Sequence, residues 1–246
     1  RLYWRFVMKY RSTSVIVICR PPPRYIIDRL IYNDSYNEID QNLTDSNVGG
    51  RKGRNIRDNI FVVQAISNAV MKSKKESVDY QVYDVSTCFD KLNLEECIMD
   101  LYDTGLNDDK LVLLYLENKN CQVAVKTSAG ITKRINIKDI LLQGTLWSGL
   151  MCVTQMDKLA KDAYKNGSTY LYKGKVEVPP LEMVDDVLVP VKCNEDSIIA
   201  NAKVNSFMER KKLQLNQEKC SKLHLGKPNR NCPNLSVHSA EMKSSK

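Results

Sequence analysis

The chain has only two histidines, His224 and His238, and no Cys-x-x-Cys pair among its eight cysteines. A structural zinc site therefore has too few ligands at the spacings it needs. The cysteines (19, 88, 97, 121, 152, 193, 220 and 232) fall at irregular intervals. That suits reduced, mostly buried thiols of an intracellular protein better than a disulfide framework. No apolar run is long enough to span a bilayer, and there is no internal repeat. No signal peptide is expected to precede the Asn-x-Thr triplet at Asn42, so it carries no weight as a glycosylation site. The sequence begins without methionine, inside a basic, aromatic stretch, as a piece of something longer would.

What is present is globular: 246 residues, 43% hydrophobic and 27% charged, enough for one large domain or two small ones. Lysine and arginine outnumber aspartate and glutamate, 37 to 29, for a formal charge of +8. The mild basic excess is compatible with a polyanionic partner, and equally with a soluble protein that is merely basic.

The order of elements predicts an α+β fold with an antiparallel sheet and helices packed on one face. The apolar run Val15–Cys19 ends at Arg20 and three prolines, which continue neither strand nor helix. A helix is expected from Ile26 to Ile31, a polar turn region over 33–47, and a second helix from Asp58. Residues 81–90, QVYDVSTCFD, read as a strand entering a turn, with helices near 94–102 and 109–116. A hairpin is expected over 121–140, a long helix over 148–165, and a short hairpin in LEMVDDVLVPV. A helix near 196–212 and a last strand pair near 213–225 complete the pattern. The tail 227–246, rich in Asn, Ser, Pro and Lys, is expected to be disordered.

Asp185 and Asp186 sit inside an apolar run, Leu181 to Val189, where ionised side chains are costly unless compensated. A divalent cation is one compensator, since carboxylate oxygens suit magnesium. Solvated acids on a tight turn are the plainer explanation of the dipeptide alone. Asp84, at the end of the apolar Val82–Tyr83 strand, adds a second carboxylate source, and two metals about 4 Å apart can serve in-line phosphoryl transfer. Asp90, just before Lys91, suits a helix start.

Asp-x4-Phe-Asp, then Gln143–Gly144 before a helix, then Val-Asp-Asp in a hairpin, then Leu-Asn-x-x-Lys ending at Lys219, resembles reverse transcriptases, most nearly those of non-LTR retrotransposons. The resemblance runs from about Ile26 to Gly226. It implies a right-hand polymerase: a partial fingers region over 1–80 with a basic loop at 47–58, and a palm over 81–226 with a fingers-side hairpin near 120–140. It also implies magnesium as cofactor (two ions, manganese a possible substitute), an RNA template, a DNA or RNA primer, and deoxynucleoside triphosphates. Localisation would be nuclear or cytoplasmic. Asp84, Asp185 and Asp186 would be the metal ligands. Lys219 would approach the triphosphate, and Phe89 would act as the steric gate against a 2′-hydroxyl. Gln143 and Gly144 would pack on the incoming nucleotide. Arg51, Lys52, Arg54 and Arg57 would face nucleic acid, the preceding glycines allowing close backbone approach to phosphate.

The sequence departs from the family pattern in several places. Arg20–Pro21 stands for the triphosphate-gripping Arg-Pro element, but Pro22 and Pro23 follow, and Arg11 competes for the role. Met183 replaces an aromatic residue, and Gly149 a proline. The sequence stops soon after Lys219, so a primer-grip hairpin and thumb are expected to be missing. A fragment of that kind would hold its primer–template weakly. The alternative is therefore a catalytically inactive, truncated retroelement relic that at most binds nucleic acid. Another two-metal palm enzyme is a third reading, against which Phe89 speaks.

Overall fold

A computed structural model describes residues 5–10, 13–18, 22–73, 76–86, 88–127, 130–138, 146–166, 169–192, 195–227, 236–237, 240–241 and 243–244. In chain order the elements are β1 (Arg5–Tyr10), β2 (Thr13–Ile18), α1 (Pro22–Gln41), α2 (Ile56–Lys72), β3 (Ser77–Tyr83), β4 (Val85–Ser86), α3 (Cys88–Lys91), α4 (Leu94–Asp103), α5 (Asp108–Lys119), β5 (Asn120–Thr127), β6 (Gly130–Ile131) and β7 (Ile135–Lys138). There follow α6 (Leu146–Lys165), β8 (Tyr170–Tyr172), β9 (Val176–Val178), β10 (Leu181–Met183), β11 (Asp186–Val191), α7 (Glu195–Arg210), β12 (Gln214–Leu215), β13 (Ser221–Gly226), β14 (Ser236–Val237), β15 (Ala240–Glu241) and β16 (Lys243–Ser244). They form two compact units, Arg1–Leu43 with Phe89–Met151, and Thr44–Cys88 with Cys152–Lys246.

The first unit pairs β1, β2, β5 and β6 in a sheet, with β7 also on β5. Its helices pack through Tyr36 and Ile39 of α1, Leu94, Cys97 and Leu101 of α4, and Leu111 and Leu114 of α5, all buried. The Tyr32 ring meets Trp147 edge-on at 5.4 Å, and the Asn42 amide donates to the Thr104 carbonyl at 3.0 Å. Two sequence expectations change here. Pro22 and Pro23 open α1 instead of blocking a helix, because the first helical turn has no intrahelical use for their missing N–H groups. The stretch from Asn33, expected as a turn, stays helical to Gln41.

The second unit holds the sheet β10-β11-β3-β13-β16. The strand β3 is buried on both sides, and each side has its own helix. Val78 and Tyr80 pack with Ile66 and Val70 of α2 and with Leu181, Tyr170 and Val178 in one apolar cluster. Each such side chain contributes about 1.5–3 kcal/mol by leaving water. Alternate residues face α7 instead. The Gln81 amide donates to the Ser197 carbonyl at 2.9 Å, and the Tyr83 hydroxyl donates to Asn201 Oδ1 at 3.0 Å. Buried Asp79 accepts from Ser197 Oγ at 3.2 Å and lies 2.7 Å from His224 Nδ1 and 3.3 Å from Lys222 Nζ. The α+β fold with an antiparallel sheet is thus present, with α2 and α7 lying against alternate residues of β3.

The helix α2 starts at a capping box, in which Asn55 accepts from the Arg57 N–H at 3.0 Å and Asp58 accepts from the Asn55 N–H at 2.9 Å. β12 and β13 do not pair with each other as expected; β12 joins β4 and β13 joins β3. In the tail, expected to be disordered, Lys243–Ser244 runs parallel to Ser221–Lys222, and β14 pairs β15. Among the described residues, no helix is long and apolar enough to cross a membrane.

Gly226, at φ +106°, ends β13 where a Cβ would lie 2.5 Å from the Glu76 carbonyl oxygen and 2.8 Å from Ser77 Cα. Gly226→Ala is expected to destabilise the chain by about 1–3 kcal/mol in urea unfolding, since both backbone conformation and space oppose the methyl group. Gly174→Ala, at a hairpin turn with open space around it, should cost less.

Candidate active site

The turn that carries the acid pair is strained. Val184 has φ +62°, a left-handed conformation that a β-branched residue avoids. Holding it there costs on the order of 1–3 kcal/mol. Met183 pairs with Asp186 to close the hairpin, and Val184 and Asp185 make the tip. Because β11 pairs β3 with Val187 opposite Tyr83, Asp186 and Asp84 each lie one residue past that pair, at the same end of the sheet.

Asp84 is held from the other side by the segment after α7. Leu215 pairs with Val85, both buried, and the Asn216 N–H donates to the Asp84 carbonyl at 2.8 Å. The Asn216 carbonyl then accepts from the Lys219 and Cys220 N–H groups, each at 3.0 Å, closing a turn. That turn brings Lys219 Nζ to 2.9 Å from Asp84 Oδ2. The Leu-Asn-x-x-Lys spacing is thus a strand pair, a backbone latch and a returning ammonium.

The electrostatics place Asp84, Asp185, Asp186 and Lys219 within reach of one another. Burial raises the carboxyl pKa of Asp185, and the charges of Asp186 and Asp84 raise it further; a hydrogen bond from its own backbone and the Lys219 ammonium oppose this. Asp186 is raised by burial and then by Asp84, with Lys219 opposing. The Lys219 ammonium is held above its ordinary range by its hydrogen bond and charge pairing with Asp84. Among the described residues, no group of three or more His, Cys, Asp or Glu side chains is arranged to hold a metal ion. The donor set fits a divalent cation in kind: hard carboxylate oxygens that repel one another, offset by a single exposed ammonium.

Other expected site residues fare differently. Phe89 lies half-buried in α3. Lys52 and Arg57 are exposed, and Arg54 pairs with Asp45. Arg51 is only 5% exposed and donates to the carbonyls of Thr44 and Asn47, which stitches its own loop together. Gly49 also serves a purpose other than phosphate approach, because a Cβ there would fall against the Val184 amide nitrogen and 2.5 Å from Val184 Cγ2. Arg20, Gln143 and Gly144 lie outside the described residues.

Two groups beside the site were not anticipated. Asn47 is fully buried; its Oδ1 accepts from the N–H groups of Val184 and Gly49, both at 3.0 Å, and its Nδ2 donates to the Val184 carbonyl at 2.9 Å. Glu182, one residue before Met183, is also fully buried, and burial and the charge of Asp157 raise its pKa well above the carboxylate range. The only sequence signal for either was the Gly-Gly pair after Asn47–Val48, which the residues alone suggested as a close backbone approach to phosphate.

Residues 8–243 match the family profile described as Reverse transcriptase (RNA-dependent DNA polymerase). The chain belongs to this family. Its family activity is nucleotidyl transfer, as RNA-directed DNA polymerase. No curated protein is similar enough in sequence to count as a relative. Among solved structures, telomerase from Candida albicans in complex with a TWJ fragment of telomeric RNA aligns with a TM-score of 0.59 at 13% identity, over 95% of this chain and 42% of its own. The Candida tropicalis telomerase in the corresponding complex gives 0.60 at 14%, over 89% of this chain and 40% of its own. Apo telomerase from Candida tropicalis, truncated from its C-terminal domain, gives 0.58 at 14%, over 95% of this chain and 51% of its own. Identities this low show a shared fold alone. The reverse transcriptase chain spans between two fifths and about half the length of these neighbours.

The raised carboxyl pKa values have a definite sign. A carboxylate whose folded pKa exceeds its unfolded value favours the fold below the unfolded pKa, and that advantage is lost as pH rises through the folded pKa. Ionised Asp185 therefore opposes folding at neutral pH. Asp185→Asn is expected to raise Tm at pH 7 by roughly 1–2 °C, with no gain remaining below about pH 3.5. Thermal melts across that range check it.

Proposed function

We propose that this chain is the catalytic part of a retrotransposon reverse transcriptase that extends a DNA or RNA primer on an RNA template, using deoxynucleoside triphosphates. The observation that carries the reading is the register of β11 on β3, which sets Asp186 and Asp84 at one end of the sheet with Asp185 at the adjoining hairpin tip, although residue 84 and residues 185–186 are far apart in sequence. Asp84, Asp185 and Asp186 would hold two divalent cations, magnesium with manganese as a substitute. Such cations, when bound, make a hydroxyl more acidic and neutralise a leaving phosphate. The chain's own residues supply the rest. Lys219, protonated at neutral pH and tied to Asp84, carries positive charge and a proton to the edge of the acid cluster, where pyrophosphate would leave. Phe89 would sit beneath the sugar and exclude a 2′-hydroxyl. Gln143 and Gly144 would support the nucleotide, and Arg20 would grip its triphosphate. Lys52, Arg54 and Arg57 would face nucleic acid, and binding through such cations weakens as salt rises. Such an enzyme would work in the nucleus or cytoplasm.

Primer extension on an RNA template with magnesium tests this reading. Asp185→Ala is expected to lower incorporation by at least about a hundredfold, in line with loss of a metal ligand; equal incorporation by both proteins would remove Asp185 from the site. In the same assay, Phe89→Ala should raise ribonucleotide use relative to deoxynucleotide use. An unchanged ratio would remove the gate assignment.

A further inference from the structure

We propose that Asn47 is a positioning residue: its carboxamide clamps Val184 in the left-handed conformation that presents Asp185 and Asp186. The inference deepens the proposed function and rests on that reading for its catalytic consequence.

Val184 needs outside support, because its side chain disfavours its own backbone conformation. The clamp supplies it from both sides of one residue. Asn47 Oδ1 accepts from the Val184 N–H at 3.0 Å while Nδ2 donates to the Val184 carbonyl at 2.9 Å. A carboxamide bonded in this way fixes both peptide groups flanking the Val184 Cα, and so fixes its φ and ψ together. Asn47 is itself immobilised. Nδ2 also reaches Glu182 Oε2 at 3.2 Å, and Oδ1 also accepts from the Gly49 N–H at 3.0 Å. The surrounding backbone is laced to β10: the Val48 N–H donates to the Glu182 carbonyl at 3.1 Å, and the Glu182 N–H donates to the Ser46 carbonyl at 3.0 Å. From α2, the Asn59 amide donates to the Glu182 carbonyl at 2.9 Å. Gly49 completes the seat, since any side chain there would strike Val184. Aspartate at position 47 could accept these bonds but could not donate to the Val184 carbonyl, and glutamine would reach too far. The asparagine thus matches an oxygen and a nitrogen of one residue at once.

The test uses the 246-residue chain in four forms: native, Asn47→Ala, Val184→Gly, and the double variant. Glycine adopts a positive φ without help, so it should make the clamp dispensable. Three readouts are taken: amide hydrogen exchange at Val184, binding of manganese alone by electron paramagnetic resonance, and kcat and KM in primer extension. Asn47→Ala is expected to speed Val184 exchange about tenfold and to weaken manganese binding about tenfold. It should also lower kcat by more than it raises KM for nucleotide. In the Val184→Gly background the same substitution should change manganese binding, kcat and KM by less than about twofold, while exchange at residue 184 still quickens because its N–H loses its acceptor. Should Asn47→Ala prevent folding, Gly49→Ala displaces the same residue from the other side and should give the same pattern of losses. Exchange at Val184 unchanged by Asn47→Ala, or equal losses of manganese binding and kcat with and without the Val184→Gly substitution, would overturn the proposal. The proposed function fails separately: if Asp185→Ala binds manganese as tightly as the native chain, the metal site is wrong, while the exchange readout still decides the clamp.

Discussion

Three carboxylates that repel one another are gathered at one end of a sheet, and much of the second unit can be understood as what makes that tolerable. The register of β11 on β3 sets Asp186 beside the chain position of Asp84. The hairpin tip adds Asp185 from a residue geometry that its neighbour Val184 would not choose. One ammonium, Lys219, answers part of the charge, delivered by a turn whose first residue also latches the Asp84 backbone. The loop from Ser46 to Gly49 fixes the hairpin from beneath without contributing any charge of its own.

The same unit buries other ionisable groups, and each has company. Asp79 is enclosed by Ser197, Lys222 and His224. Asp157 accepts from the Thr44 N–H at 2.9 Å and pairs with Lys161 at 3.0 Å. Glu182 has Asn47 at hand, and burial, then the nearby charge of Asp157, favours its neutral form. Buried polar groups partnered in this manner restrict the packing to one arrangement more than they add stability, and Glu182 Oε1 is left without a hydrogen bond.

Much of this was legible in the residues. Apolar periodicity marked α4, apolar content marked α5, and the hairpin around Asp185 stood out because acids interrupt an apolar run. The ordered motifs named the family that the match over residues 8–243 bears out. What escaped has physical reasons. Both faces of β3 are buried, so its polar residues Asp79 and Gln81 look like a solvent face until α7 is seen to cover them. The prolines that open α1 look like a break because sequence does not reveal which turn of a helix they occupy. Arg51 looks like its charged neighbours, and only its carbonyl partners withdraw it from them. Asn47 could not be found at all from spacing, since its partner lies 137 positions away.

The alternation along β3 makes the strand intolerant of misalignment. A shift by one place would carry Asp79 off Lys222, His224 and Ser197 and into the oily layer formed by Ile66 and Val70, while pushing Tyr80 towards Ser197. The penalty for a wrong alignment therefore falls at the end of the strand far from Asp84. The acid cluster, which gains nothing by assembling, inherits its placement from a strand whose opposite end polices the fit.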